Sequence, residues 1–322
     1  MNLSHLYYFK KLAEVQHYTH AAEQLFITQP TLSNAVSQLE KELGIALFER
    51  EGRNVRLTKQ GMEFNEYVTQ ALNLIDKGVD IAHEHAGSLS ASFDVGVVYT
   101  IQADYLPSLM RAFTLKYGPG VRMNINQGLS NPLLEDLQRG RYDVVFCAMR
   151  GDCPDLECFP VFYQRLVAIV HDYSPFADRD EVSIDELSHA KIVTYGPGTI
   201  LGDEVSNFLK PYADKGMEIY ETCDDEITLG SMVDADASAV GITLDTLGLL
   251  PFTDLKTIPL KEAPGGFHPV FMVCRKNVFR TRAVENFINF VKEFKFESSK
   301  TMVPVSFDEP VKLLDGDWKG SR

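Results

Sequence analysis

Residues 28–44 read TQPTLSNAVSQLEKELG. Leu32, Val36, Leu39 and Leu43 step by four, three and four, a spacing that lays one apolar stripe along a helix. Thr28 is the predicted N-cap, and Pro30 in the first turn removes an N–H that has no intrahelical partner anyway. Gly44 is the predicted stop. Pro30, Ser33, Asn34, Ser37, Gln38 and Lys41 then fall on the opposite side, a face made mostly of short donors and acceptors. Such a face suits the major groove of DNA, which admits one helix and shows a distinct donor and acceptor pattern for each base pair. Gln29, Asn34 and Gln38 can pair with adenine edges, while Ser33 and Ser37 are short enough to permit close approach. The Thr28–Thr31 end presents backbone N–H groups to a phosphate. The bland rival is a polar face that is simply solvated.

The neighbours favour the first reading. Leu6, Phe9, Leu12 and Ala13 recur at helical spacing behind Ser4, a predicted N-cap, and YTHAAEQL begins a second helix capped by Thr19. Ala21 and Ala22 are small enough to let another helix approach. After Gly44, LFEREGRNVRLT (47–58) alternates and turns around Glu51–Asn54, a hairpin or wing. Its Arg50, Arg53 and Arg56 suit the backbone or minor-groove contacts that position a reading helix. Thr58 can cap a long helix to about His85, in which Phe64, Val68, Ala71, Ile75, Gly78 and Ala82 repeat at four-three spacing, with Leu72 and Val79 beside them. That is a coiled-coil-like seam on a helix too long for so small a head to bury, and it predicts dimerisation. GSLSAS (87–92) reads as a flexible hinge.

Composition bounds the rest. With 322 residues, 45% hydrophobic and 24% charged, the chain can bury two or three ordinary cores. No apolar run reaches the roughly 18 residues that span a bilayer. The N-terminus lacks the pattern of a secretory signal, so a cytoplasmic location is expected. The net charge of -14 argues against nucleic acid, but its distribution does not. Within residues 1–58, Lys10, Lys11, Lys41, Arg50, Arg53 and Arg56 are matched by Glu14, Glu23, Glu40, Glu42, Glu49 and Glu51. The whole acidic surplus therefore follows residue 58, leaving a neutral head on an acidic body. The five cysteines, Cys147, Cys153, Cys158, Cys223 and Cys274, show no C-x-x-C spacing and read as reduced thiols.

From Phe93 strands and helices alternate, the rhythm of a parallel, doubly wound sheet, and the rhythm begins again at RLVAIVH (165–171). A two-lobed α/β body over 93–296 follows, lobe I from about 93–161 and 268–296, lobe II from about 162–267. Residues 297–322 show no clear period and stay unassigned. Ligands in such bodies bind where strand C-termini and helix N-termini converge. The candidates are Tyr99, Thr100, Ile101, Gln102, Gly128, Ser130, Asn131 and Ala148 in lobe I, with Tyr195, Gly196, Gly198 and Thr199 in lobe II. Their hydroxyls, amides and free N–H groups suit a carboxylate, though each could equally be a helix cap.

The stretch from Phe9 to Gly61 resembles the winged helix-turn-helix of LysR-type transcriptional regulators. The family's elements recur at matching intervals: Phe9, Ala13, Thr19, Ala21–Ala22, Leu25, Gln29–Pro30, Leu32–Ser33, Leu39–Glu40, Leu43–Gly44, Leu47–Phe48, Arg50, Leu57–Thr58 and Gly61. To about residue 296 the likeness is one of layout. It implies a winged domain over 1–58 with a helix-turn-helix at about 18–37, a linker helix at 59–86 and an effector domain beyond the hinge. The resemblance further implies a DNA-binding regulator acting as a homodimer or homotetramer, whose effector, commonly a small organic acid, lodges between the lobes. It carries base reading onto Gln29, Pro30, Ser33 and Asn34, with Gln38, and backbone contacts onto Arg50 and Arg53. It implies no cofactor and no metal.

Two departures matter. The family's Gly-rich turn and proline near the last strand of lobe II are replaced by MVDADASAVGITLDT (232–246), which carries Asp234, Asp236 and Asp245. With Asp224, Asp225 and Glu226 this makes lobe II acidic. Carboxylates facing the cleft would favour an amine or a neutral ligand. Peroxide-sensing members use a cysteine pair in lobe II, whereas Cys223 stands alone there. No G-x-S-x-G, H-E-x-x-H or P-loop pattern supports an enzyme, and the histidines form no metal-like pair. A small-molecule binding protein is the better rival for 93–296, but it leaves the helix-turn-helix without a role.

Overall fold

The computed structural model describes residues 2–52, 54–85, 91–102, 105–151, 153–296 and 302–304. The chain forms two compact units, residues 1–87 and 88–322.

The first unit runs α1 (Leu3–Val15), α2 (Tyr18–Gln24), α3 (Gln29–Leu43), β1 (Phe48–Glu51), β2 (Asn54–Leu57) and α4 (Lys59–His85). Helix α3 begins and ends where its sequence predicts. Thr28 Oγ1 accepts from the Thr31 N–H, and Gly44 takes the left-handed conformation at φ 71°. The other two starts differ from expectation. Asn2, not Ser4, caps α1, and His17, not Thr19, caps α2. An amide oxygen or a ring nitrogen reaches the third N–H as a hydroxyl would, and the chain takes the earlier residue. Leu12, Ala22, Leu32 and Val36 pack on one side of the head, Phe9, Leu39, Leu47, Val68 and Leu72 on the other. Leu43, expected in the buried stripe, is 37% exposed.

The seam of α4 is rotated from its expected position. Val68 and Leu72 lie in this unit's own core and Phe64 packs against it, so none of the three is available to a partner. Among the residues that α4 leaves exposed are Tyr67, Ala71, Leu74, Ile75, Gly78, Val79 and Ala82. Tyr7 donates to Asp76 and Lys10 to Asn73, which clamp α1 along the inner side of α4.

The second unit holds two sheets. Lobe I comprises β3 (Ala91–Val97), α5 (Tyr105–Tyr117), β4 (Val121–Gln127), α6 (Ser130–Gln138), β5 (Val144–Cys147) and β6 (Leu156–Gln164). Lobe II follows with β7 (Leu166–His171), β8 (Lys191–Tyr195), α7 (Ile200–Ala213), β9 (Ile219–Cys223), α8 (Glu226–Ala235), β10 (Ala239–Leu244) and β11 (Leu255–Pro259). The chain then returns to lobe I as β12 (His268–Arg275), α9 (Arg282–Glu293) and β13 (Met302–Pro304). Strand orders are β13-β6-β12-β5-β3-β4 and β11-β7-β10-β8-β9.

Both sheets are mixed, where parallel ones were expected. Strand β12 runs antiparallel to β5 and β6, and β7 antiparallel to β10 and β11, because the two returning strands enter from the other lobe. The expected hinge is shortened, since β3 begins at Ala91; its residues 87–90 lie outside the described residues. Part of the unassigned tail, β13, extends the lobe I sheet by pairing with β6.

Helix α7 starts hard against the end of β8. A Cβ at Gly202 would lie 1.7 Å from the Gly196 carbonyl oxygen, a backbone atom that has no rotamer to move into. Gly202→Ala is expected to destabilise the second unit by about 2 kcal/mol or more, read as a lower denaturation midpoint. An unchanged midpoint would show that this approach is slack.

Candidate nucleic-acid interface and ligand cleft

On α3, Gln29, Pro30, Thr31, Asn34, Ser37 and Gln38 are exposed and Ser33 is half-buried. Thr28 and Thr31 bond each other through their hydroxyls at 2.8 Å. The side chains of Gln29, Ser33, Asn34, Ser37 and Gln38 form no hydrogen bond to other described residues, so their donors and acceptors face outward unused. The turn ahead of α3 contains Phe26 at φ 54° and almost wholly exposed. A groove of about 480 Å³ runs between Gln29, Ser33 and Ser37 of α3, the start of α2 at His17–Thr19, and the wing at Arg50, Gly52 and Asn54. Arg50 makes no ion pair among the described residues. Arg56 does, holding Glu49 at 2.7 Å and Glu51 at 3.8 Å, which sets it apart from the phosphate-seeking role expected of it. Arg53 lies outside the described residues.

The second candidate is a cavity of about 280 Å³ between the two sheets of the second unit. It sits at the carboxyl ends of β3, β4, β8 and β9, where α6, α7 and α8 begin. Tyr99, Thr100, Gly128, Ser130, Asn131, Gly198 and Thr199 line it, as expected. Five other expected residues do not. Ile101 is wholly buried in the lobe I core, because the short 3-10 turn at Tyr99–Ile101 rotates it inward. Gln102 is bonded by Gln127. Ala148 is buried, its N–H donating to Ser130 Oγ at 3.2 Å. Tyr195 lies beneath the floor, its hydroxyl donating to Glu226 Oε1 at 2.5 Å and close to Thr243 at 2.9 Å. Gly196 does not line the cavity either.

The hydroxyls that do reach the cavity are partly engaged. Thr100 donates to Gln164 Oε1 at 3.0 Å, and Thr199 accepts from the Gly202 N–H at 2.9 Å as the cap of α7. Thr100 keeps its lone pairs for a ligand and Thr199 its proton. Asp224, Asp225 and Glu226, part of the acidity noted in the lobe II sequence, also line the wall, as does His268, which residue patterns missed. Asp234, Asp236 and Asp245 are not among the lining residues. Burial raises the Glu226 pKa above the usual carboxylate range, opposed by the Tyr195 hydrogen bond. Bonds cross between the lobes from Arg150, which reaches Asp203 at 2.8 Å and the Ile200 carbonyl at 3.4 Å, and from His268 Nδ1 to Glu204 Oε2 at 2.5 Å. The Gly198 N–H and then Arg150 lower the Asp203 pKa.

One further grouping escaped the sequence. His171, Asp234 and Asp254 place potential ligand atoms within 4.8 Å of one another at the edge of lobe II. Both aspartates are exposed, and exposed acidic groups gather so without a cation; no site is assigned to them.

Comparison with known proteins agrees with this geometry. Residues 3–62 match the family described as bacterial regulatory helix-turn-helix protein, lysR family, and residues 86–295 match the LysR substrate binding domain. The chain belongs to the LysR family. It is a DNA-binding transcriptional regulator with an effector-binding domain, and its relatives are regulators, not enzymes. It is 29% identical over 249 residues to the hydrogen peroxide-inducible genes activator of Dickeya chrysanthemi, covering 76% of this chain and 78% of that protein. The transcriptional regulator BenM of Acinetobacter baylyi is 27% identical over 280 residues, 85% of this chain and 90% of BenM. Among solved structures, CbnR, also solved with its target DNA, superposes with a TM-score of 0.71 at 21% identity, covering 91% of this chain and 99% of CbnR. A full-length OxyR from Pseudomonas aeruginosa gives 0.65 at 25% identity, 91% and 95%. No helix among the described residues of this LysR-family chain is long and apolar enough to cross a membrane.

A peroxide response belongs to some of those relatives by name, and the lobe II cysteine of this chain is poorly placed for one. Cys223 is buried, unpaired and pushed up to about 11 by burial. At pH 7 about one part in ten thousand is thiolate, the reactive form. In the native regulator at pH 7, iodoacetamide should label Cys223 at least about 100-fold more slowly than in denaturant. Labelling at comparable rates, followed by mass spectrometry, would restore the redox reading.

Proposed function

We propose that this LysR-family regulator reads an operator through Thr28, Gln29, Pro30, Thr31, Ser33, Asn34 and Gln38 on α3, with Arg50 and Arg53 of the wing on the phosphate backbone. The observation that carries the reading is the exposed face of α3, whose side-chain donors and acceptors are unused and open onto the groove beside Arg50. A small effector in the interlobe cavity controls binding. The protein works as a homodimer or homotetramer in the cytoplasm, where its DNA is. The winged domain over 1–58, the helix at 59–86 and the two-lobed body to about 296 divide these roles.

Base contacts and phosphate contacts fail differently. Ser33→Ala and Asn34→Ala should each weaken specific binding by about 1–3 kcal/mol and relax selectivity at one base pair. Arg50→Ala should weaken all sequences alike and lower the salt slope by about 1. Footprinting of fragments drawn from the regulator's own genome supplies the operator, and gel shifts at several salt concentrations give these values. Parent-like binding in every variant would remove α3 and the wing from the interface.

Pairing through α4 follows from its exposed face. Leu74 is 60% and Val79 46% exposed, an apolar surface that a second copy would cover at about 25 cal/mol per Å². Leu74→Glu with Val79→Glu should lower the sedimenting mass of the full chain without loss of helicity. If the double variant sediments as the parent does, the chains pair elsewhere.

A further inference from the structure

The cleft in which we place the effector has a charge pattern that bears on the ligand. Asp224, Asp225 and Glu226 line its lobe II side, and no lysine or arginine does among the described residues. Asp225 is engaged: Oδ1 accepts from the Ile227 and Thr228 N–H groups at 2.9 and 2.8 Å, and Oδ2 from the Thr228 hydroxyl at 2.8 Å. Glu226 is half engaged. Tyr195 holds its Oε1 and the Glu226 backbone N–H reaches the carboxylate, while no other described residue donates to Oε2, although the residue is only 8% exposed. Asp224 stands exposed on the rim, and its side chain forms no hydrogen bond to another described residue. His268 also lines the cavity, with its Nδ1 held by Glu204 at 2.5 Å, and it favours the charged form of Glu226.

We propose that the effector presents an ammonium group to Glu226 and Asp224 and lays an apolar body against Leu129, Pro132, Ile200 and Leu201. The proposal rests on the cleft being the effector site. A carboxylate oxygen set in a cavity with no donor is an open hydrogen-bonding site, and charge-assisted donors are the strongest that can fill it. An ammonium brings three N–H donors and the opposite charge, enough for Glu226 Oε2 and Asp224 together. A carboxylate in the same place would add a like charge beside the buried Glu226, where repulsion is stronger than in bulk solvent. The common organic acid of the family is therefore disfavoured on this wall. Across the cavity, α6 has Leu129 at its N-cap and no side-chain cap, so an amino acid could set its carboxylate there and still present its ammonium to lobe II.

The test uses the full-length protein and probes that share one skeleton while differing in charge. Phenethylamine, phenylalanine and hydrocinnamate form one set, and hexylamine, norleucine and hexanoate a second, each followed by calorimetry. Probes bearing an ammonium should bind, and the acids should bind more weakly than their amines. Glu226→Gln should weaken the amines by about tenfold and Asp224→Asn by about threefold. Asp224 is exposed and unbonded, so its variant remains a valid probe should Glu226→Gln misfold. Leu129→Trp fills the cavity and should expel every probe. An acid that outbinds its amine, amines that bind both carboxylate variants as they bind the parent, or no amine binding in either set, each overturns the cation. If an acid binds and Leu129→Trp expels it, the cleft stands and the charge class falls. A probe that Leu129→Trp does not disturb lies outside the cleft, and both readings fail.

Discussion

The first turn of α7 joins the two lobes. Asp203 and Glu204 are neighbours in sequence, and each reaches a cation or ring on the lobe I side, Arg150 and His268 respectively. The His268–Glu204 pair is nearly buried, so breaking it would leave a carboxylate in a poor solvent. The Arg150–Asp203 pair is about one-third exposed, and water screens it more. Both depend on where α7 begins. Thr199 caps that helix, Gly202 lets it approach the end of β8, and Gly198 at φ 99° turns the chain into it. The cavity thus exists at its observed width because three small residues place two carboxylates within reach of the other lobe.

The same logic explains the crossovers. Gln164 ends β6 and His268 begins β12, and the two are register partners in lobe I. The Phe267 N–H donates to the Gln164 carbonyl at 2.9 Å, so the two connections run side by side. Gln164 is wholly buried, and its amide oxygen is held by Thr100 at the cavity wall. A ligand that draws on the Thr100 hydroxyl therefore acts on a group already tied to the crossover. The ligand can shift the lobes only by its difference in affinity for their two arrangements, so contacts shared between lobes matter more than tight contacts to one.

How much of this was legible in the sequence depended on whether the signal was local. Helix α3 was legible because Thr28, Gly44 and the four-three spacing each act within a turn or two. The starts of α1 and α2 were not, since Asn2 and Ser4, or His17 and Thr19, are both competent caps and packing chooses between them. Strand β6 was missed because Pro160 interrupts LECFPVFYQ, and its ladder with β12 shifts register at Val270/Phe271 to accommodate it. Strand β11, LKTIP, lies at a sheet edge with little burial and shows no clear period. The seam of α4 was legible as apolar but not as to its partner. Val68 and Leu72 share the spacing with Ala71 and Ile75, and only the fold reveals that the head covers the first pair.

The cleft shows the same limit in its chemistry. Sequence pattern singled out hydroxyls and amides after strands, and many of them are there, but Thr100, Ser130 and Thr199 are each bonded to their own backbone or a neighbour. Carboxylates were visible only as composition. Asp225 and Glu226 differ by one position on α8, and that position separates their roles: Asp225 caps the helix, while Glu226 begins it and is carried inward over β8 to Tyr195. The hydroxyl of Tyr195 also accepts from the Leu244 N–H at 3.0 Å, on β10. The buried carboxylate is therefore fixed to the sheet floor through Tyr195, and Glu226 lines the cavity above it. A helix cap, a packed tyrosine and a strand N–H together fix the polarity of the ligand wall.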